Sequence, residues 1–170
     1  TRLYRAGRGT FEVVAIPPSD WVMPSDTLWI DLIEPTREED VAVERALGLS
    51  IPTREEMNEL EASSRLYREG GATYVTADII HNGDTEMPTI DPVTFVLTHG
   101  PLVTIRYFDP RPFILFTDKL EREPSLCASG VDMFLNLMEA IIDRASDVLG
   151  KTAAKVDGVG NHVFSEGKRV

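Results

Sequence analysis

Two adjacent strands near the middle of the chain constrain its fold most. The segment "PVTFVLTHGPLVTIRYF" (92–108) is rich in β-branched and aromatic residues, and Gly100 and Pro101 interrupt it near its centre. β-Branched and aromatic residues favour strands, and a Gly-Pro pair favours a turn. The segment therefore predicts a β-hairpin, and with it a sheet at the centre of the fold.

Further strand and helix patterns surround this hairpin. The predicted elements are strands at 11–16, 28–33, 65–68 and 72–80 and a helix at 110–123. A Gly70-Gly71 turn joins the third and fourth of these strands into a second hairpin. Because strands come first, helices are interleaved and a long helix comes last, we predict an α/β fold. Its mixed β-sheet is expected to be sandwiched by helices.

The five-residue string "PTREE" occurs twice, at 35–39 and at 52–56. A Thr followed three residues later by Glu is a capping box, in which each side chain binds the other residue's backbone N–H. Both carboxylates also favour the positive end of the helix dipole. The sequences around the two copies share nothing else. We therefore predict two helix starts rather than an internal repeat.

The last helical pattern, beginning near residue 131, is the longest. Its apolar residues recur at alternating steps of four and three, with Thr152 in the single gap: Val131, Leu135, Met138, Ile142, Ala145, Leu149, Val156, Val159 and Val163. This spacing is typical of a helix packed lengthwise on other helices. On the same helix, Glu139, Asp143 and Asp147 follow one another at i, i+4. Like charges at this spacing destabilise a helix, so a solvated face, arginines or a divalent cation must offset their repulsion.

Composition limits the class of protein. The 170 residues suit a single domain, and a net charge of −11 argues against nucleic acid as a partner. The single cysteine, Cys127, cannot form an internal disulfide and sits among small apolar residues, as a buried side chain does. No segment reaches the roughly 20 apolar residues of a membrane helix. Because the chain begins at Thr1 and ends soon after a long helix, we expect a piece of a longer protein.

The sequence contains no standard catalytic pattern. It lacks a phosphate-binding loop after a strand, and no Ser–His–acid set suggests itself. The three histidines, at 81, 99 and 162, are not at zinc-ligand spacing. The loop acids Asp84, Glu86 and Asp91 lack the ligand spacing of a calcium loop, which favours a solvated loop. We therefore expect no enzymatic activity.

Three segments stand out in order along the chain: "WIDL" (29–32), "LGL" (47–49) and "LMEAIIDRASDVL" (137–149). With the sequence around them, over about 28–164, they resemble the cytoplasmic domain of the CorA family of divalent-metal-ion transporters. The family's Gly-Met-Asn motif would lie beyond Val170. The resemblance implies an α/β domain at 1–130, a long helix at 131–164 leading toward a stalk, and five identical chains forming a funnel. It implies membrane contact only through later helices.

The same resemblance implies a regulatory metal site. Glu55 and Glu56 fall where family members carry a Glu-Asp pair that faces a neighbouring subunit, and Glu139 falls where the family has an Asp. Glu56 replaces the usual Asp and so adds a methylene. The resemblance implies Mg²⁺ as the regulatory cation, with Co²⁺, Ni²⁺ or Zn²⁺ as possible alternatives.

We therefore expect the cytosolic, metal-sensing domain of a CorA-type magnesium or divalent-cation transporter, on the cytoplasmic face of a bacterial inner membrane. Carboxylates brought together between subunits would repel one another when empty and hold the funnel shut when bridged by the cation. Three alternatives stay open: a zinc-transporting member of the same superfamily, a stand-alone soluble ligand-binding domain or enzyme, and a scaffold that assembles through its long helix.

Overall fold

The computed structural model describes residues 1–14, 20–85 and 87–166, with the side chains of 160–166 left aside. The strands are β1 (Arg2–Arg5), β2 (Phe11–Val13), β3 (Thr27–Ile33), β4 (Leu66–Glu69), β5 (Ala72–His81), β6 (Thr89–Leu97) and β7 (Leu102–Arg106). The helices are α1 (Arg37–Leu47), α2 (Arg54–Glu59), α3 (Arg111–Arg122) and α4 (Gly130–Glu166). A single 3₁₀ turn, Ala62–Ser64, links α2 to β4.

The described strands form one mixed sheet in the order β2-β1-β3-β7-β6-β5-β4. Both predicted hairpins are present: β4 pairs antiparallel with β5, and β6 with β7. Unlike these antiparallel pairs, β3 runs parallel to β7, with Trp29 opposite Leu102. The connection from β3 to β7 passes through the two helices α1 and α2 and the strands β4, β5 and β6. The prediction of a mixed sheet is confirmed.

The two faces of the sheet carry separate hydrophobic clusters. One cluster joins the sheet to α3 and α4 through Trp29, Phe95, Phe113, Phe116, Met133, Leu137 and Ile141, among others. The other joins the opposite side chains to α1 and α2 through Ile30, Leu32, Val43, Met57, Val96 and Val103, among others. Because successive side chains of a strand point to opposite faces, Trp29 and Ile30 fall in different clusters. The result is a three-layer sandwich, with α1 and α2 on one side and α3 and α4 on the other.

Helix α4 begins one residue before the predicted start and continues past Gly150 and Gly158 to Glu166. It contacts the rest of the domain through Met133, Leu137, Ile141 and Val148, which are buried. Within one copy of the chain, the stripe that the heptad pattern selected is largely not in contact with the domain: Val131, Leu135, Ile142, Leu149, Val156 and Val159 are 50–65% exposed. Packing of this stripe on other helices stays a prediction. Val163 lies among the side chains that are not described. Two apolar stripes run side by side on this helix, and the sheet covers the one that the heptad pattern did not select.

Cys127 is buried in the cluster beside α3 and α4, as its apolar neighbours predicted. Burial raises the pKa of its thiol to about 11, with a smaller contribution from Asp132. The thiol is therefore neutral at physiological pH and serves as an apolar core group.

Candidate functional site

Helix α2 begins with a complete capping box, as the second "PTREE" segment predicted. The hydroxyl of Thr53 accepts a hydrogen bond from the Glu56 backbone N–H (3.3 Å), and the Thr53 N–H donates to Glu56 Oε2 (2.8 Å). Glu56 Oε1 makes no hydrogen bond with any described residue. The cap therefore uses one carboxylate oxygen and leaves the other, on an exposed residue, available to a ligand.

Glu56 lines an open groove of about 590 Å³ between α2, the 3₁₀ turn and β4. The polar groups around this groove are those of Ser50, Glu56, Ser63, Ser64, Tyr67 and Glu69. The Tyr67 ring stacks on Tyr74 with the ring centroids 4.6 Å apart, which fixes one wall of the groove. Carboxylate and hydroxyl oxygens are the donors that hard cations prefer, and a groove of this size also admits their water shell.

Glu55 lies on a different side of the same helix. Adjacent residues of a helix point about 100° apart, and Glu55 does not line the groove beside Glu56. The Arg54 guanidinium lies 5.2 Å from the centroid of the Tyr107 ring. The pKa of Tyr107 is raised by burial first, and then by the nearby charges of Asp40 and Glu55. Glu55 and Glu56 therefore face different surroundings within one chain.

Glu139 lies in the other layer of the sandwich, on α4. With Asp143 and Asp147 it lines a groove of about 300 Å³ between α3 and α4, opposite Arg111 and Lys119. None of these three acids forms an ion pair or a hydrogen bond with a described side chain. Neither an arginine nor a lysine of the described chain neutralises this row of carboxylates.

The structure does not bring the three predicted site residues together. Glu55 and Glu56 belong to the α1 and α2 layer, Glu139 belongs to the α3 and α4 layer, and the sheet lies between them. Among the described residues, no three His, Cys, Asp or Glu side chains converge as a metal site requires. A cation that contacted both Glu56 and Glu139 would have to lie between two copies of the chain.

Comparison with known proteins decides the family. The model of the "CorA-like Mg2+ transporter protein" family matches residues 24–169. The chain belongs to the CorA family. Members of this family are transporters rather than enzymes, so the sequence-based expectation of no enzymatic role agrees with the family assignment.

Named relatives and solved structures agree with this assignment. The chain is 29% identical over 161 residues to the magnesium transport protein CorA of Wolinella succinogenes, covering 92% of the chain and 49% of the relative. It is 26% identical over 145 residues to the CorA of Haemophilus ducreyi, covering 85% and 45%. The chain spans about half the length of these relatives.

The solved structures support the fold. The soluble domain of CorA from Methanocaldococcus jannaschii superposes with a TM-score of 0.61 at 15% identity, covering 81% of this chain and 55% of that one. The full-length CmaX protein superposes with a TM-score of 0.72 at 17% identity, covering 96% and 52%. Within 1–14, 20–85 and 87–166, no helix is both long and apolar enough to cross a bilayer.

A buried ion-pair network in this CorA-family chain was missed by the sequence analysis. Asp31 on β3 and Arg106 on β7 are both fully buried, and Arg106 donates two hydrogen bonds to the Asp31 carboxylate, at 3.1 and 2.9 Å. Thr104 donates to Asp31 Oδ1 (2.8 Å), and Trp29 Nε1 donates to the Thr104 hydroxyl (2.8 Å). Burial opposes ionisation of Asp31, but Arg106 and then Arg2 outweigh it and lower the pKa of Asp31.

This network holds the parallel β3 and β7 strands together. Its sequence signal is an acid inside "WIDL" and an arginine inside "VTIRY", both in predicted strands. A charged residue in a buried strand needs a partner. The network therefore serves the fold rather than metal binding.

The loop after β5 also departs from the sequence-based interpretation. Asp84 was expected in a solvated loop, but its carboxylate accepts hydrogen bonds from Arg111 (3.1 Å), Arg144 (2.6 Å) and Lys151 (2.8 Å). The hydrogen bonds from Lys151 and then Arg144 lower the pKa of Asp84 to about 2. Glu86, the next loop acid considered, lies outside the described residues.

The described environment of the histidines gives no support to a zinc site. His81 Nε2 lies 2.6 Å from Asp91 Oδ2 and 2.9 Å from the Thr89 hydroxyl, and its ring stacks near Phe108. This nitrogen is already occupied by partners on the neighbouring strand. The side chain of His162 is outside the described part of the chain.

Proposed function

We propose that this chain is the cytosolic regulatory part of a CorA-type magnesium transporter in a bacterial inner membrane, where it senses the divalent cation. Its membership of the family and its relatives' name, magnesium transport protein CorA, support this role. The chain spans about half the length of those relatives. In this proposal the membrane-crossing part of the transporter lies in the remaining half.

One observation carries the proposal: carboxylate oxygens without a described protein partner lie in both helical layers of the sandwich. Glu56 Oε1 faces solvent beside an open groove, and Glu139 stands at the start of an unpaired row of acids. Unpaired like charges destabilise a helix. Arg111, Lys119 and Arg144 line the same groove as the α4 acids, but no described side chain forms an ion pair with those acids. A shared cation between neighbouring subunits of a homopentamer would offset this repulsion.

The donors fit the chemistry of Mg²⁺. This ion prefers oxygen ligands, dehydrates reluctantly and is usually held by one or two carboxylates and several waters. Glu56, Glu55 and Glu139 would supply carboxylate oxygens, and the hydroxyls of Ser63 and Ser64, which line the same groove as Glu56, would hydrogen-bond retained water. Co²⁺ and Ni²⁺ accept the same donors, whereas Zn²⁺ prefers the nitrogen or sulfur ligands that this groove lacks.

The regulatory effect follows from linkage. A cation that binds between subunits stabilises only the arrangement in which those carboxylates are close. When cytosolic Mg²⁺ is plentiful, the bridged arrangement is favoured and the transporter closes. When Mg²⁺ is scarce, the carboxylates repel one another and the subunits separate. The shift is limited by the difference in affinity between the two arrangements.

The test is protection of the full-length transporter from proteolysis as Mg²⁺ is increased. We expect the Mg²⁺ concentration for half-protection to rise at least about 3-fold in Glu56→Gln, because a neutral amide still caps α2 but attracts the cation less. Glu139→Gln should produce a similar rise.

The matched control is Glu59→Gln, which removes the same charge from the same helix but does not line the groove. It should leave the half-protection concentration unchanged. If Glu56→Gln and Glu139→Gln behave like Glu59→Gln, these acids have no part in cation sensing.

A further inference from the structure

Helix α4 is held to the domain at two places that differ in chemistry. At its start, Gly130 touches the β6–β7 turn so closely that an added Cβ would lie 2.5 Å from both the Gly100 carbonyl oxygen and the Leu102 nitrogen. The contacting atoms there are backbone atoms, which cannot move away as the end of a flexible side chain can. The contact depends on shape alone, and neither salt nor charge can loosen it.

The second place is the loop after β5. Gly83 packs on Val148, where an added Cβ would lie 2.7 Å from Val148 Cγ2. Next to it, Asp84 accepts from Arg144 and Lys151 on α4 and from Arg111 on α3. Arg144 is largely buried, with 11% of its side chain exposed, whereas Lys151 and Arg111 are about 60% exposed. One carboxylate thus joins two helices to the sheet.

Among the described side chains, this loop is the last part of the domain that α4 contacts. Val148 is buried, and every described side chain from Leu149 to Val159 is exposed. The helix nevertheless continues to Glu166. From Lys151 to Glu166 it extends about 22 Å beyond the loop, at 1.5 Å per residue.

We infer that the Asp84 loop is a releasable electrostatic latch on α4, whereas the Gly130 end is a fixed anchor. The Lys151 and Arg111 pairs are exposed, and such pairs are weak and screened by salt. Opening therefore costs mainly the less exposed Arg144 pair and the Val148 contact, while the buried Met133 and Leu137 stay in place. Opening frees the helix from about Arg144 onward. A 10° tilt about Arg144 moves the end of the described helix, roughly 33 Å away at 1.5 Å per residue, by about 6 Å.

Hydrogen exchange of the protein, followed by mass spectrometry, tests the latch. In Asp84→Asn, we expect amides 145–155 to exchange about 5-fold faster than in the wild type, which is the size of effect that weak ion pairs produce. Amides 131–140, beside the fixed anchor, should be unchanged. In 0.5 M NaCl the wild type should approach the variant, and the variant itself should not respond. Because the pKa of Asp84 is about 2, the difference should be the same at pH 6 and pH 8.

Asp118→Asn is the matched control, because it removes an exposed carboxylate from α3, in the same layer, that forms no ion pair with a described residue. It should exchange like the wild type. Lys151→Gln removes one latch donor from an exposed helix position and should give about a 2-fold acceleration over the same amides. Equal exchange in wild type, Asp84→Asn and Lys151→Gln would overturn the latch. Acceleration spread evenly over the whole of α4 would also overturn it, because that result indicates general destabilisation.

Discussion

The two "PTREE" segments form the same capping box in different surroundings. Thr36 and Glu39 make the same pair of hydrogen bonds as Thr53 and Glu56, with 3.3 Å for the bond to the hydroxyl in both boxes. Yet Glu39 is buried, with 7% of its surface exposed, and its Oε1 also accepts from the amino group of Thr1. Glu56 is exposed beside an open groove. Local sequence determines the cap, whereas the surrounding fold determines what the carboxylate is free to do.

The residue after each box sharpens the contrast. Met57 follows the second box and is buried in the hydrophobic cluster of its layer. Asp40 follows the first box, is 6% exposed, and has a buried Oδ1 with no hydrogen-bond partner among the described residues. Burial raises the pKa of Asp40 to about 6, with Glu44 and Glu39 adding to the rise and Arg37 opposing it. The first helix therefore carries a buried acid where the second carries an apolar anchor.

The largest effect is expected when α2 is made to resemble α1 at this position. Met57→Asp places a carboxylate at a site with 1% exposure and no partner, so it should lower the free energy of unfolding by about 3 to 5 kcal/mol at pH 7. Urea unfolding followed by circular dichroism measures this. Asn58→Asp, at the next and exposed position, should change it by less than about 0.5 kcal/mol. Equal effects would show that α2 is not anchored through Met57.

Removing the buried charge of α1 with Asp40→Asn should stabilise the protein in a pH-dependent way. The folded pKa of Asp40 lies above its ordinary value near 3.8, so its stabilising contribution is present below pH 4 and is lost as pH rises through 6. Asp40→Asn removes the ionisable carboxyl, and with it the loss of stability as pH rises. The difference in free energy of unfolding between the variant and the wild type should be up to about 3 kcal/mol more favourable to the variant at pH 8 than at pH 4. This magnitude corresponds to a shift of about two units in the pKa of Asp40. A pH-independent difference between variant and wild type would contradict the burial argument.

The contribution of Glu39 to stability should have the opposite pH dependence to that of its neighbour Asp40, and it should be smaller. Burial raises the pKa of Glu39, but the hydrogen bonds from Thr1 and Thr36 outweigh it and lower the pKa. Its contribution is therefore present at neutral pH and is lost as pH falls below about 4.5. Glu39→Gln should cost about 1 to 2 kcal/mol at pH 7, whereas Glu56→Gln should cost less than about 0.5 kcal/mol. Thermal unfolding of both variants at pH 7 and pH 4 checks the contrast, and equal costs at pH 7 would contradict it.

Much of this fold follows from local pattern. The capping boxes, both hairpins and α3 involve residues close in sequence, so turn residues and periodicity were enough to predict them. Strand β1 was missed because "RLYR" has only two apolar residues between arginines. Its identity as a strand depends on pairing with both β2 and β3.

The site depends on long-range topology, which one sequence does not reveal. The partners of Asp84 lie 27, 60 and 67 residues away, so the loop appeared solvated. The heptad pattern of α4 revealed an apolar stripe but not which of two adjacent stripes meets the sheet. Likewise, only the strand order shows that Glu56 and Glu139 lie on opposite sides of the sheet.

The central claim is that Glu56 and Glu139 of neighbouring subunits share one cation, and a double-mutant cycle on the full-length transporter tests it most directly. The cycle compares the Mg²⁺ concentration for half-protection in Glu56→Gln, in Glu139→Gln and in the double variant. If both acids contact the same ion, the double variant should be little worse than either single variant, since the first substitution already disables the site. If the two effects instead multiply, the acids act at separate sites and the shared-cation account is wrong.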